Sequence, residues 1–227
     1  MRLMYEKIKD SLYKIKTERP SCTSYLIFDD QKNILIDPGL YQKYPILKEN
    51  LEEIGVSPED IDIVLNTHEH ADHIGANKYF QNHSMIMAHR YAASKIIYQD
   101  KEILHCRGND HDLNGYEVHL WLENNSVIEL DDWFIRTIYT PGHTSGCVCF
   151  YEPRKRLLFT GDTIFARGKI SDTGTSGSYG EYINSLSILR TLKVDMILPG
   201  HGSISSKVDE DINEAIDNAS KRRERSL

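Results

Sequence analysis

The chain has 227 residues, 40% of them hydrophobic and 27% charged, with a net charge of −7. That suits one domain with a sizeable core, and the acidic balance argues against a nucleic-acid surface, which needs clustered Lys and Arg. No apolar run approaches a membrane span and the first residues hold no apolar signal core, so no membrane partner is expected. Cys22, Cys106, Cys147 and Cys149 show no CxxC pair or disulfide spacing. Cys147 and Cys149 alternate in a strand-like run, read as small buried apolar residues in a reduced, cytoplasmic setting.

Strands are predicted over 5–16, 24–28 and 33–36, the third stopped by Asp37-Pro38-Gly39. An Asp before Pro-Gly commonly begins a turn. Helical spacing of Leu47, Leu51 and Ile54 predicts a helix over 44–54, with Gly55 as its stop. Ser57 and Pro58 open a short capped turn. The apolar run 61–65 then reads as a buried strand, and 74–80 as the start of a helix.

Between them lies Thr67-His68-Glu69-His70-Ala71-Asp72-His73. Neutral imidazole nitrogens and carboxylate oxygens are the ligands that borderline divalent metals take. In an extended loop His68 and His70 project to one side, because side chains alternate with period two. Asp72 and His73 enter the helix, turn away from that pair and can serve a second ion.

A strand over 85–88 and a helix over 90–98 follow, after which the periodicity fades. Residues 99–115 are polar and hold His105, Cys106, Arg107 and His111. A loop of this length inside a compact domain is usually functional or disordered. It is read as an active-site insertion or lid, with His105, Arg107 and His111 available to an anionic or carbonyl-bearing substrate. His83, His89 and His119 are read as ordinary surface or half-buried histidines. A hairpin over 127–130 and 134–139 runs into Pro141-Gly142-His143, and one over 146–151 and 157–159 delivers Gly161-Asp162. An amphipathic helix over 181–192, a strand over 194–198 ending at His201, and a terminal helix from Val208 complete the chain.

The set His68-Glu69-His70-Ala71-Asp72-His73, Pro141-Gly142-His143-Thr144, Thr160-Gly161-Asp162-Thr163 and Pro199-Gly200-His201-Gly202 resembles, in order, the motifs of metallo-β-lactamase fold hydrolases. The resemblance runs from about Tyr13 to Gly202. It implies an α/β fold, a four-layer αββα sandwich, as a single domain over 1–227. One half would deliver His68 to His73 and His143, the other Asp162 and His201. By resemblance His68, His70 and His143 bind one metal, Asp72, His73 and His201 bind a second, and Asp162 bridges them. Asp37 is then an acceptor behind the metal site, which competes with its reading as a turn residue. Two divalent transition-metal ions are implied, zinc first, with iron or manganese also suited to nitrogen and oxygen ligands.

The chemistry so implied is hydrolysis by a metal-bridging hydroxide, oriented by Asp72 as the catalytic residue. The branch resembled is that of glyoxalase II, whose substrate is a small thioester; an ester or lactone is close to it. Only 25 residues follow Gly202, too few for that enzyme's full glutathione-binding domain, so a different substrate is expected, touched by Tyr179, Tyr182 and the middle loop. The alternative enzyme is a mononuclear iron persulfide dioxygenase; a non-catalytic metal-binding or sensor protein is the reading from a different class. The partners implied are a small-molecule substrate and, in a homo-oligomer, further copies of the chain.

Overall fold

The computed structural model describes residues 4–9, 11–28, 31–106, 115–130 and 132–226. The chain divides into two compact units, Met1–Trp121 and Leu122–Leu227.

The first unit is built on a seven-stranded sheet in sequence order. Its strands are β1 (Tyr5–Lys9), β2 (Leu12–Lys16), β3 (Thr23–Ile27), β4 (Asn33–Ile36), β5 (Ile61–Asn66), β6 (Met85–His89) and β7 (Leu120–Leu122). The expected single strand over 5–16 is therefore a hairpin, with Tyr5 opposite Ile15. β1 to β4 pair antiparallel, while β4–β5 and β5–β6 are parallel. Tyr13, Leu26, Leu35, Val64 and Ile86 are register partners from strand to strand. That row meets Leu47 and Leu51 of α1 (Tyr44–Ile54) and Phe80 of α3 (Asn77–Phe80) in one apolar cluster. Gly55 ends α1 at φ 100°, a left-handed turn that glycine adopts without a side-chain penalty.

The helix expected over 74–80 is two short ones, α2 (Ala71–Ile74) and α3. Long-range partners break it: the Tyr116 hydroxyl donates to the Gly75 carbonyl at 2.6 Å, and the Ala76 N–H donates to the Gly39 carbonyl at 2.8 Å. Helix α4 (Arg90–Tyr98) follows β6 directly. Ala92, Ala93 and Ile96 on its inner side pack with Ile74, Ala88 and Leu104.

The second unit carries a five-stranded sheet, in the order β12 (Met196–Pro199), β11 (Leu157–Gly161), β10 (Val148–Glu152), β9 (Phe134–Tyr139), β8 (Val127–Glu129). Only β11–β12 is parallel among these pairs. Helices α5 (Tyr179–Leu189) and α6 (Val208–Ser226) place Tyr182, Leu186, Leu189, Ile212 and Ala215 against Ile138, Cys149, Leu158 and Ile197. Cys147 and Cys149 are buried as expected, and burial pushes the Cys149 thiol up to about 11, so it stays neutral in the core. α5 stops short of the expected Leu192 because Thr191 and Leu192 donate to Ile188 and Leu189, tightening the last turn to i→i+3 spacing. Among the described residues no helix is long and apolar enough to cross a membrane.

Candidate metal centre

In the first unit the ligand candidates leave the C-terminal ends of parallel strands, where loops of α/β sheets gather. Asp37 follows β4, and His68 to His73 follow β5. Asp37 sits at φ 51° and is 2% exposed. Its Oδ1 accepts the Thr67 N–H at 2.8 Å, and its Oδ2 accepts the Thr67 hydroxyl at 2.6 Å. The same Oδ2 lies 2.8 Å from His73 Nδ1.

These bonds fix two tautomers. An ionised carboxylate only accepts, so His73 Nδ1 carries the proton and Nε2 keeps its lone pair. Thr67 has one hydroxyl proton and spends it on Asp37. Towards His68 Nδ1, 3.1 Å away, it therefore accepts, leaving His68 Nε2 as the basic nitrogen too. Of the two readings of Asp37, the acceptor contacts are present, whereas residues 37–40 form no turn: the Asp37 N–H donates to the Leu65 carbonyl and the Gly39 N–H to that of His73. The Cys22 thiol donates to the Asp37 carbonyl at 3.6 Å, and burial pushes that thiol up to about 12.

The His68 ring centroid lies 4.7 Å from that of His70 and 4.1 Å from that of His73. His73 Nε2 and Asp72 Oδ2 are 3.7 Å apart. His105, at φ 55°, stacks on His70 at 4.0 Å and 14°. The Ala71 N–H donates to the Leu104 carbonyl at 2.8 Å, so the start of the middle loop is tied to the cluster. Arg107 and His111 lie outside the described residues.

His143 belongs with Asp162 and His201 in the second unit, not with the first half of the chain as expected. The three follow β9, β11 and β12. His143 Nδ1 meets the Asp172 carbonyl at 2.5 Å; a carbonyl only accepts, so Nε2 is again the available nitrogen. Asp162 Oδ2 is 3.8 Å from His143 Nε2, while Oδ1 is 3.6 Å from His201 Nε2. Each carboxylate oxygen thus faces a different imidazole. Ser171 Oγ donates to Asp162 Oδ2 at 3.0 Å, and the Tyr182 hydroxyl donates to its carbonyl at 2.8 Å.

Tyr182 is fully buried, so it supports Asp162 rather than meeting substrate. Tyr179 packs against the α5–α6 cluster. A Cβ at Gly142 would come within 2.6 Å of the Tyr182 backbone and ring, so the turn carrying His143 needs glycine there.

The imidazole–carboxylate separations of 3.6 to 3.8 Å are too long for hydrogen bonds. Two ligands on one tetrahedral ion with bonds of 2.0–2.1 Å stand about 3.4 Å apart. Both donor sets therefore fit a divalent cation.

The sequence profile of the metallo-beta-lactamase superfamily matches residues 18–201. The chain belongs to the metallo-β-lactamase superfamily. It is 34% identical over 201 residues to a probable metallo-hydrolase of Methanocaldococcus jannaschii, covering 83% of this chain and 91% of that one. A hydroxyacylglutathione hydrolase of Pelagibacter ubique is 34% identical over 74% of this chain, which spans only 61% of that relative's length. A hydroxyacylglutathione hydrolase of Haemophilus influenzae is 28% identical, with 80% and 85% covered. Among solved structures, a metallo-β-lactamase family protein of Thermus thermophilus superposes with a TM-score of 0.82 at 20% identity, over 97% of this chain and 83% of that one. The fold is thus the α/β fold of the metallo-β-lactamase type, and this superfamily member is a metal-dependent hydrolase.

Three supporting groups had no assigned role in the sequence reading. Thr67 relays Asp37 to His68, the Asp172 carbonyl sets the His143 tautomer, and Lys95 reaches Glu69. Thr67 adjoins the motif and was open to inspection; the other two are joined only by tertiary contact. His89, expected at the surface or half-buried, is 2% exposed and packs edge-on to Tyr91.

Proposed function

We propose that the two donor sets form one binuclear centre that hydrolyses a small thioester. His68, His70 and His143 would hold one ion, Asp72, His73 and His201 the other, and Asp162 would bridge them. The observation that carries this is that His73, His143 and His201 each turn Nε2 towards a carboxylate oxygen at 3.6–3.8 Å, and for His73 and His143 the opposite nitrogen is occupied by an acceptor. Two such ions, when bound, lower the pKa of a shared water to about 7 and polarise a scissile carbonyl. Asp72 is partly exposed, with its carboxylate at the edge of the cluster. It orients the attacking water and takes its proton. Zinc is the metal that the histidine-rich set suits first, and iron or manganese fit the same donors.

A thioester is favoured because relatives from two organisms carry the name hydroxyacylglutathione hydrolase, one matched over 85% of its own length. His105 stacks on His70, which supports reading it as a contact for the acyl part of a substrate. Anaerobic assays of the zinc-loaded protein against hydroxyacyl thioesters, esters and lactones test this. Thiol release from the thioester without oxygen is the expected result. Oxygen uptake with glutathione persulfide, and no such hydrolysis, would instead identify a dioxygenase.

A further inference from the structure

Glu69 stands between His68 and His70, and its side chain is fully buried. In the bend after β5 the His68 and His70 rings meet edge to face at 4.7 Å, while the Glu69 carboxylate faces α4. Its Oε1 lies 2.5 Å from Lys95 Nζ, whose side chain is 15% exposed. A buried carboxylate is tolerated when it is paired and hydrogen-bonded, and breaking such a pair leaves an uncompensated charge in the interior. Lys95 is mounted on α4, between Ala92 and Ile96, and that helix is seated by Ala92, Ala93 and Ile96 on Ile74 and Leu104. The ammonium therefore comes from a rigid element, and the carboxylate from the loop that carries two candidate ligands. Displacing that loop would break the Glu69–Lys95 pair and move the two flanking histidines with it.

We propose that Lys95 is a positioning residue for the metal centre, holding His68 and His70 in register through Glu69. This rests on the reading of those two histidines as ligands. It goes beyond a contribution to stability, because the pair fixes which side chains of the loop face the ion. Groups that orient metal ligands from behind typically change metal affinity by about 10–100-fold when removed.

The test is zinc affinity of the full chain, measured by chelator competition, with thermal unfolding of the metal-free protein alongside. Lys95→Met should weaken zinc binding by at least about tenfold, and Lys95→Arg should restore it to within about threefold of wild type. The double variant Glu69→Leu with Lys95→Met leaves no buried charge, and apolar replacement of a buried pair is commonly neutral for stability. It should melt like wild type and still bind zinc at least about tenfold more weakly. Zinc affinity within about threefold of wild type in the double variant, while His70→Ala has lost binding, would overturn the positioning role alone. Wild-type affinity in His70→Ala would overturn the ligand assignment and this proposal with it.

Discussion

Asp162→Ala is expected to lower kcat/KM for an accepted thioester by at least about a thousandfold, equivalent to roughly 4 kcal/mol of barrier. Asp162 directs one oxygen at His143 and the other at His201. Removing it takes away a carboxylate that both imidazoles face and, on the proposed function, the bridge between the two ions. The apolar core is untouched, since Tyr182 hydrogen-bonds the Asp162 backbone carbonyl, not its side chain. Far-UV circular dichroism should therefore match wild type. Activity within threefold of wild type in a correctly folded Asp162→Ala protein would remove the bridging role.

The second large effect is at Asp37. In Asp37→Ala the buried Thr67 N–H and the His73 Nδ1–H lose their acceptor, and each such loss costs about 1–3 kcal/mol. Alanine at φ 51° adds roughly 1 kcal/mol of strain. Together these predict a fall in Tm of about 10 °C or more. Asp37→Asn separates stability from ligation. Asparagine tolerates the left-handed backbone at this position, but it offers one oxygen where the carboxylate offers two. One of its partners then faces an NH2 group. If that partner is His73, the imidazole proton moves to Nε2 and blocks it as a ligand. Asp37→Asn should therefore weaken zinc binding by about 10–100-fold with a smaller loss of Tm than Asp37→Ala. Equal zinc affinity in Asp37→Asn and wild type would show that the Asp37–His73 bond does not govern the site.

The candidate ligands stood out because their pattern is local. His68, His70, Asp72 and His73 fall within six residues across the loop after β5 and the start of α2, and His143, Asp162 and His201 each follow a strand at a Pro-Gly or Gly position. Helix α1 was legible for a similar reason, with its apolar spacing and Gly55 stop in one short window. What was not legible depends on distant partners. β1 and β2 run on with no Gly or Pro between them, and only Asp10-Ser11, a turn-favouring pair, marks the hairpin in the sequence. The break between α2 and α3 is set by Tyr116 and Gly39, far along the chain in either direction. β7 is a three-residue edge strand with Leu120 and Trp121 exposed, too short and too one-sided for a periodic signal. Lys95 looked like any helical lysine because Glu69 lies 26 residues before it.

Counting ions decides whether the two donor sets make the proposed two-metal centre. The protein would be purified without chelator, reconstituted with zinc, freed of excess metal and analysed by inductively coupled plasma mass spectrometry against amino-acid analysis. Close to two zinc ions per chain are expected, falling to one or fewer in His201→Ala. A stoichiometry of one in the wild type, unchanged by His201→Ala, would contradict the two-metal centre.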